Sequence, residues 1–350
     1  MNNLNNDVTQ KRKDEHISIC LEKPVQGEGI TTGLEKWRFK HLSLPEMDFA
    51  AIDLTSTMFG KQIKAPLFIS SMTGGTERAY RINQALAAAA EVRGWALALG
   101  SMKVALNQSD LAYSFQLRKY APTIPIIANL GLVSLNYGLT EEHCLRAVEL
   151  AEADALVFHL NSLQEVFQPE GDTNFSGLLQ KLESVVKRSS VPIGVKDVGW
   201  GIDAEVRDRL IQIGIQFIDV AGAGGTSWSQ VEHYRTPPST IQYYASSSFL
   251  DWGNSTADCL LELRDGMEHC ALFGSGGLNN GVDAAKVIAL GADAAGFGRT
   301  LLAHAVDSSA PQQTIVERLA TIEYELKAAM FGIGVQRIDK LKYHSRLVPS

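Results

Sequence analysis

The 350-residue chain is 45% hydrophobic and 20% charged, which allows a large core and argues against wholesale disorder. Its net charge of −7 counts against a general nucleic-acid binder. The four cysteines (Cys20, Cys144, Cys259, Cys270) lack C-x-x-C spacing, so neither a disulfide framework nor a zinc site is expected, and reduced thiols suit a cytoplasmic protein.

The opening residues are polar and lack the apolar stretch of a signal peptide. No apolar run approaches the roughly 18 residues that a membrane span needs, so neither a membrane nor a nucleic-acid partner is expected. Residues 1–64 precede the first strand-like run and are expected to form an arm over the body of the protein. From residue 65 a short apolar run, ending in small or polar residues, alternates with a longer segment. The runs are Pro66–Ser71, Ala96–Gly100, Pro125–Leu130, Ala155–Leu160, Pro192–Asp197, Gln216–Ala221, Ala271–Ser275 and Ala294–Gly298. Runs this short and apolar suit parallel strands buried on both faces.

Helical patterns fall between them. Ala79–Arg93 ends at Gly94 as a helix closing on a C′ glycine does. Thr140 with Glu141 and Glu142 opens another helix with a capping hydroxyl and early acids. Asp203–Ile213 closes on Gly214, Val282–Leu290 closes on Gly291, and a last helix covers about 312–331. Eight strands in this alternation read as an α/β fold, a (β/α)8 TIM barrel over 65–350 with the N-terminal arm. A doubly wound sheet is the alternative, disfavoured by the strand count and by the absence of G-x-G-x-x-G after the first strand. Residues 222–255, rich in Gly, Ser and Pro, are expected to form a long mobile loop over the barrel mouth.

In such a barrel the carboxyl ends of the strands carry the active site. Polar and glycine residues collect there: Ser71-Met72-Thr73, Ser101, Asn129, His159-x-Asn161, Gln164-Glu165, Lys196, Ala221 through Trp228, Gly274–Gly277 and Gly298-Arg299. Gly276 and Gly277 after the seventh strand, with Gly298 and Arg299 after the eighth, suit a phosphate site. Glycine lets the backbone approach an anion, a helix N-terminus favours negative charge, and arginine adds a fork of donors. The plainer alternative is that these glycines only make turns. Lys196 ends the fifth strand, as a fixed positive charge beside an electron-rich cofactor ring or as a salt-bridge partner of Asp197. Glu165 could hold Mg2+ or serve as a helix N-terminal acid. His159 and Asn161 share one face of a strand, as pocket residues or as satisfied core groups. Arg12 and Lys13 lie in a charge run that on its own reads as a solvated face.

Taken together, these motifs resemble one family, the type 2, FMN-dependent isopentenyl-diphosphate isomerases. The motifs that carry the resemblance are Arg12-Lys13-x-x-His16, Ser71-Met72-Thr73-Gly74-Gly75, Asn129-Leu130-Gly131, His159-x-Asn161-x-Leu163-Gln164-Glu165, Gly171-Asp172, Lys196, Gly222–Trp228 and Gly274–Gly277. They span nearly the whole chain in the expected order. One departure stands out: Lys196-Asp197-Val198-Gly199 occupies the place of an expected Lys-Glu-Val-Gly.

The resemblance implies that Ser71, Met72, Thr73, Ser101, Asn129, Lys196, Ala221 and Thr226 line FMN, with its phosphate at Gly276, Gly277, Gly298 and Arg299. It implies that Arg12, Lys13 and His16 bind an isoprenoid diphosphate, with Ser101, His159, Asn161, Gln164 and Trp228 completing the substrate pocket. Gln164, His159 and Lys196 are the implied catalytic residues, and Glu165 the implied Mg2+ ligand. The implied activity is interconversion of isopentenyl and dimethylallyl diphosphate. The implied cofactors are reduced FMN and Mg2+, the reductant NAD(P)H, and the assembly a homotetramer or larger. The alternatives are an FMN-dependent 2-hydroxy-acid oxidase or dehydrogenase and a non-catalytic flavin-binding barrel. The first needs a histidine base beside a substrate arginine, and AGAGGTSW after the sixth strand contains none. The second needs the glycine loops but not Lys196, Gln164 and Glu165. A nucleotide dehydrogenase using a loop cysteine fits less well, because no cysteine follows a predicted strand in a Gly-Ser loop.

Overall fold

The computed structural model describes residues 2–306 and 309–350. Eight parallel strands close into a barrel, at Leu67–Ile69, Ala96–Ala98, Ile126–Gly131, Ala155–His159, Ile193–Lys196, Phe217–Asp219, Ala271–Gly274 and Ala294–Phe297. Each lies within one of the apolar runs except the third, which extends one residue past its run to Gly131. Alternate residues serve two cores, because successive side chains on a strand point to opposite faces. Phe68, Ile127, Val157, Phe217 and Phe273 fill the barrel interior. Leu67, Ile69, Ile126, Leu156, Phe158 and Val195 face outward against the helices.

Small residues make room for the interior aromatics. A Cβ at Gly194 would sit 2.3 Å from the Phe217 ring, and one at Gly296 would sit 2.3 Å from Phe68. The Phe68–Phe273 and Phe217–Phe273 ring centroids are each 5.4 Å apart. An antiparallel hairpin, Ser56–Met58 with Lys61–Ile63, contributes Met58 and Ile63 to this interior cluster and plugs the amino-terminal end.

The helix starts and stops follow their local chemistry. Glu77–Arg93 begins where the Thr76 hydroxyl accepts the Ala79 amide at 3.1 Å and ends on left-handed Gly94. Glu141–Ala151 begins at Thr140 with a capping box, closed by His143 rather than by an acid. Ala204–Gln212, Gly281–Ala289 and Pro311–Ile333 follow the predicted segments. Leu178–Arg188 and Thr256–Leu263 lie between the fourth and fifth and between the sixth and seventh strands.

The segment before the barrel folds against it. A 21-residue helix, Asn2–Glu22, crosses the mouth. It is held by Thr76 donating to Asp14 (2.8 Å), Arg78 donating to Ser18 (2.8 Å) and buried Ile17. Farther on, Trp37–Phe39 pairs antiparallel with Leu347–Pro349. Residues 222–255, read above as one loop, contain two helices, Trp228–Arg235 and Ile241–Ser246. They bury polar side chains (Ser229, Gln230, Glu232) and so lack the apolar period that marks a helix. Among the described residues no helix is long and apolar enough to cross a membrane.

Candidate active site

A cavity of about 630 Å³ opens at the carboxyl ends of the strands, beneath the Asn2–Glu22 helix. Every residue assigned above to the flavin, the substrate or the metal lines it. Barrel register sets its floor: Gly131, His159, Lys196 and Asp219 are neighbours across four adjacent strands.

His159 gives its Nδ1 proton to Asn129 Oδ1 at 2.7 Å, which leaves Nε2 as an acceptor. Burial, with the charges of Lys196, Lys13 and Lys103, pushes its pKa down to about 3, so the imidazole is neutral. Lys196 is buried, and that burial lowers its pKa against the opposing pull of Asp219 and Asp197. Its Nζ donates to the Asp197 backbone carbonyl. The salt bridge weighed above is not formed, because the Asp197 carboxylate is turned to the amides of Gly199 (3.0 Å), Trp200 (2.6 Å) and Gly201 (3.0 Å). The shorter acid thus clasps its own turn while its carbonyl holds the lysine. Asp219 accepts from Ser275 Oγ (2.7 Å) and from the amide of Ala221 (3.2 Å), a non-glycine residue held at φ +38°. It ties the turns after the sixth and seventh strands together.

The glycine turns form a bare backbone cradle. Gly276 sits at φ +104°, and a Cβ there would lie 2.3 Å from the carbonyl oxygen of Gly222. A Cβ at Gly225 would lie 2.5 Å from the Gly277 amide nitrogen. Thr256 Oγ1 donates to the Gly276 carbonyl at 2.7 Å, fixing the turn from below. Arg299 opens the Arg299–Val306 helix at the edge of the cradle. Ser71 Oγ is buried without a hydrogen-bond partner among the described residues. A flavin-sized group with a phosphate fits these features: an orphaned hydroxyl, a cradle no side chain fills, and a helix N-terminus bearing an arginine.

Cations line another part of the same cavity. Lys13 Nζ donates to the Ser101 carbonyl at 3.2 Å; burial and the neighbouring Arg12 lower its pKa to about 7. Arg12, Lys13, Lys196 and Arg299 all line the cavity, and none has an ion-pair partner among the described residues. After the fourth strand, Asn161 Nδ2 donates to Glu165 Oε1 (2.6 Å) and the Asp172 amide donates to Glu165 Oε2 (2.7 Å). Burial raises the Glu165 pKa, opposed by those two donors. Lys103 pairs with Asp172 at 2.7 Å. Asn161 Oδ1 is buried and unpartnered among the described residues. His16 meets Trp228 edge to face, 5.1 Å between centroids.

One central residue escapes the sequence reading. Glu232, fully buried, accepts from His16 Nε2 (2.9 Å) and Gln164 Nε2 (3.3 Å) on one oxygen and from Arg235 Nε (2.7 Å) on the other. Burial alone would raise its pKa; the His16 hydrogen bond and the charges of His16 and Arg235 hold it at about 2. Ser227 before Trp228, with the i,i+3 pair Glu232 and Arg235, is the helix signal present in the sequence.

Comparisons with known proteins agree with this geometry. The sequence profile of the FMN-dependent dehydrogenase family matches residues 138–347. An isopentenyl-diphosphate delta-isomerase of Oceanobacillus iheyensis is 49% identical over 337 residues, covering 96% of this chain and 95% of that one. One of a Nostoc species is 46% identical over 339 residues, covering 97% and 96%. Among solved structures, a mandelate oxidase variant with a monooxide FMN adduct superposes with a TM-score of 0.64 at 18% identity, covering 98% of this chain and 99% of that one; it shares the fold.

Proposed function

We infer the chemistry of this chain from the premise that it belongs to the type 2, FMN-dependent isopentenyl-diphosphate delta-isomerase family. It interconverts isopentenyl and dimethylallyl diphosphate, using reduced FMN and Mg2+, with NAD(P)H as reductant. The observation that carries the reading is a single cavity lined both by the glycine cradle with Arg299 and by the arm cations Arg12 and Lys13. One suits a cofactor phosphate and the other a substrate diphosphate.

The reaction moves a double bond by adding a proton at one carbon and removing one at another. An unactivated alkene is a poor base, so the site must be dry and rich in electrons. When bound and reduced, FMN supplies an electron-rich ring and a nitrogen able to exchange a proton. Gly276, Gly277, Gly298 and Arg299 hold its phosphate, and Ser71, Met72, Thr73, Ser101, Asn129, Ala221 and Thr226 line its ring and chain. Lys196 sets a positive charge beside the ring, favouring its anionic reduced form.

Arg12, Lys13 and His16 bind the diphosphate and close the arm over it, which keeps the leaving group in place and water out. Glu165 would hold Mg2+ through its carboxylate, and the ion would neutralise charge on the diphosphate. Asn161 and the Asp172 amide fix the carboxylate from behind. Gln164 presents its carboxamide to the olefin, held by Glu232. Neutral His159 offers Nε2 as an acceptor beside the same carbons, and Ser101, Asn161 and Trp228 complete the pocket wall. Assembly as a homotetramer or larger and a cytoplasmic location belong to the same reading.

The test is isomerisation of isopentenyl diphosphate by the purified protein with Mg2+, compared across reduced FMN, oxidised FMN and flavin-stripped protein. Turnover confined to the reduced sample is expected. Equal rates in all three would overturn the reading. Bleaching of the flavin by 2-hydroxy acids, without isomerisation, would point instead to the oxidase alternative.

A further inference from the structure

One buried cation has no part in the chemistry above: Arg235, the last residue of the Trp228–Arg235 helix. Its side chain is 8% exposed. Nε donates to Glu232 Oε2 at 2.7 Å, and Nη2 reaches Glu170 Oε2 at 3.3 Å on the turn after the fourth strand. Such an i,i+3 pair on a helix surface contributes only a few tenths of a kcal/mol. This one is shut away from solvent, with Glu232 0% exposed, and a carboxylate so placed needs a donor on each oxygen.

The other oxygen of Glu232 is where two functional elements meet. It accepts from His16 on the arm helix at 2.9 Å and from Gln164 at 3.3 Å. With Nε2 of Gln164 committed to that oxygen, its Oε1 is turned toward Asn161 Nδ2, 3.5 Å away. The orientation of the carboxamide therefore depends on where the carboxylate sits. Glu170 belongs to the turn that ends at Asp172, whose amide holds Glu165.

We propose that Arg235 is a positioning residue. Its guanidinium pins Glu232 Oε2, so that Oε1 meets the cavity-lining His16 and Gln164, clamps the arm through the first and orients the carboxamide of the second, while Glu170 ties this clamp to the turn that supports Glu165. Arg235 touches no reacting atom; it acts through Glu232. The inference about Gln164 rests on the isomerase reading, whereas the clamp on the arm does not.

The experiment takes full-length protein and the variants Arg235→Gln, Arg235→Lys and Glu170→Gln. In the ligand-free state, tryptic cleavage at Lys11, Arg12 and Lys13 reports how often the arm lifts. Arg235→Gln is expected to speed that cleavage about tenfold, and Glu170→Gln, which keeps the Glu232 contact and guards against a misfolded first variant, about two- to threefold. With isopentenyl diphosphate, Arg235→Gln is expected to raise KM about tenfold and to lower kcat per bound flavin about tenfold. Arg235→Lys should restore KM more fully than kcat, because an ammonium keeps the charge but not the fork. A merely structural role would lower the folded fraction and leave both constants per bound flavin unchanged, which would overturn the proposal. So would arm cleavage at the wild-type rate in both Arg235→Gln and Glu170→Gln. Fast arm cleavage together with no isomerisation by the wild-type protein would leave the clamp standing and sink the isomerase reading instead.

Discussion

Replacing Glu232 by glutamine keeps its shape but removes its charge and turns one of its two accepting oxygens into a donor. In the native protein this carboxyl is held at about 2 against an ordinary value of 4.5, despite burial that acts in the opposite direction. A group depressed this far contributes about 3 kcal/mol to folding at neutral pH. The sign follows from the direction: the contribution is complete above 4.5, where the unfolded carboxyl is also ionised, and disappears as pH falls through 2. At pH 3.5 about 2 kcal/mol would remain. Loss of one partner from a buried ion pair leads independently to about 3–5 kcal/mol, since Arg235 would lose its buried counter-ion and keep only the exposed Glu170. The assay is urea unfolding of wild type and Glu232→Gln in matched buffers from pH 7 to pH 3.5, at one fixed excess of FMN because ligand binding shifts apparent stability. A gap near 3 kcal/mol at pH 7 that narrows toward low pH is expected. A gap below 1 kcal/mol at pH 7, or one that does not change with pH, would refute the account of how this carboxylate is held.

Gly276→Ala puts a Cβ 2.3 Å from a backbone oxygen at a φ of +104°, so the cradle must open; FMN affinity, read by fluorescence titration, should fall at least tenfold. Glu165→Gln removes the one anionic oxygen assigned to the metal, and the Mg2+ concentration for half-maximal activity should rise about 10- to 100-fold. Lys196→Met should lower the midpoint potential of bound FMN by about 30 mV or more, the equivalent of a tenfold shift in a two-electron couple. The same variant should unfold at equal or higher urea concentration, because an ammonium buried without an ion pair gives way to an apolar chain of similar length.

The eight strands are legible in the sequence because both of their faces are buried, so Ala155–His159 or Ile193–Lys196 reads as an unbroken apolar run ended by a polar residue. For the same reason His159, Lys196 and the glycine turns stand out: each interrupts an apolar context just where a barrel strand must stop. The two helices within 222–255 and the helix at Asn2–Glu22 are not legible in this way. They dock through polar contacts such as His16 with Glu232 and Asp14 with Thr76, and through isolated apolar residues such as Ile17, leaving no periodic stripe. Glu232 was hidden by the same fact. Its importance comes from three residues that lie three, 68 and 216 positions away, and only the nearest of these is visible to local inspection. The Asp197 clasp shows the converse. The sequence marks the acid as unusual, but only the fold reveals that three consecutive amides use it.

The ribbon between Trp37–Phe39 and Leu347–Pro349 has a consequence for biogenesis. During synthesis the earlier of these strands emerges from the ribosome long before its mate exists, so the pairing can form only after all eight barrel strands have been made. Zipping of the ribbon is therefore a late step of folding, made across a cylinder whose strands already exist.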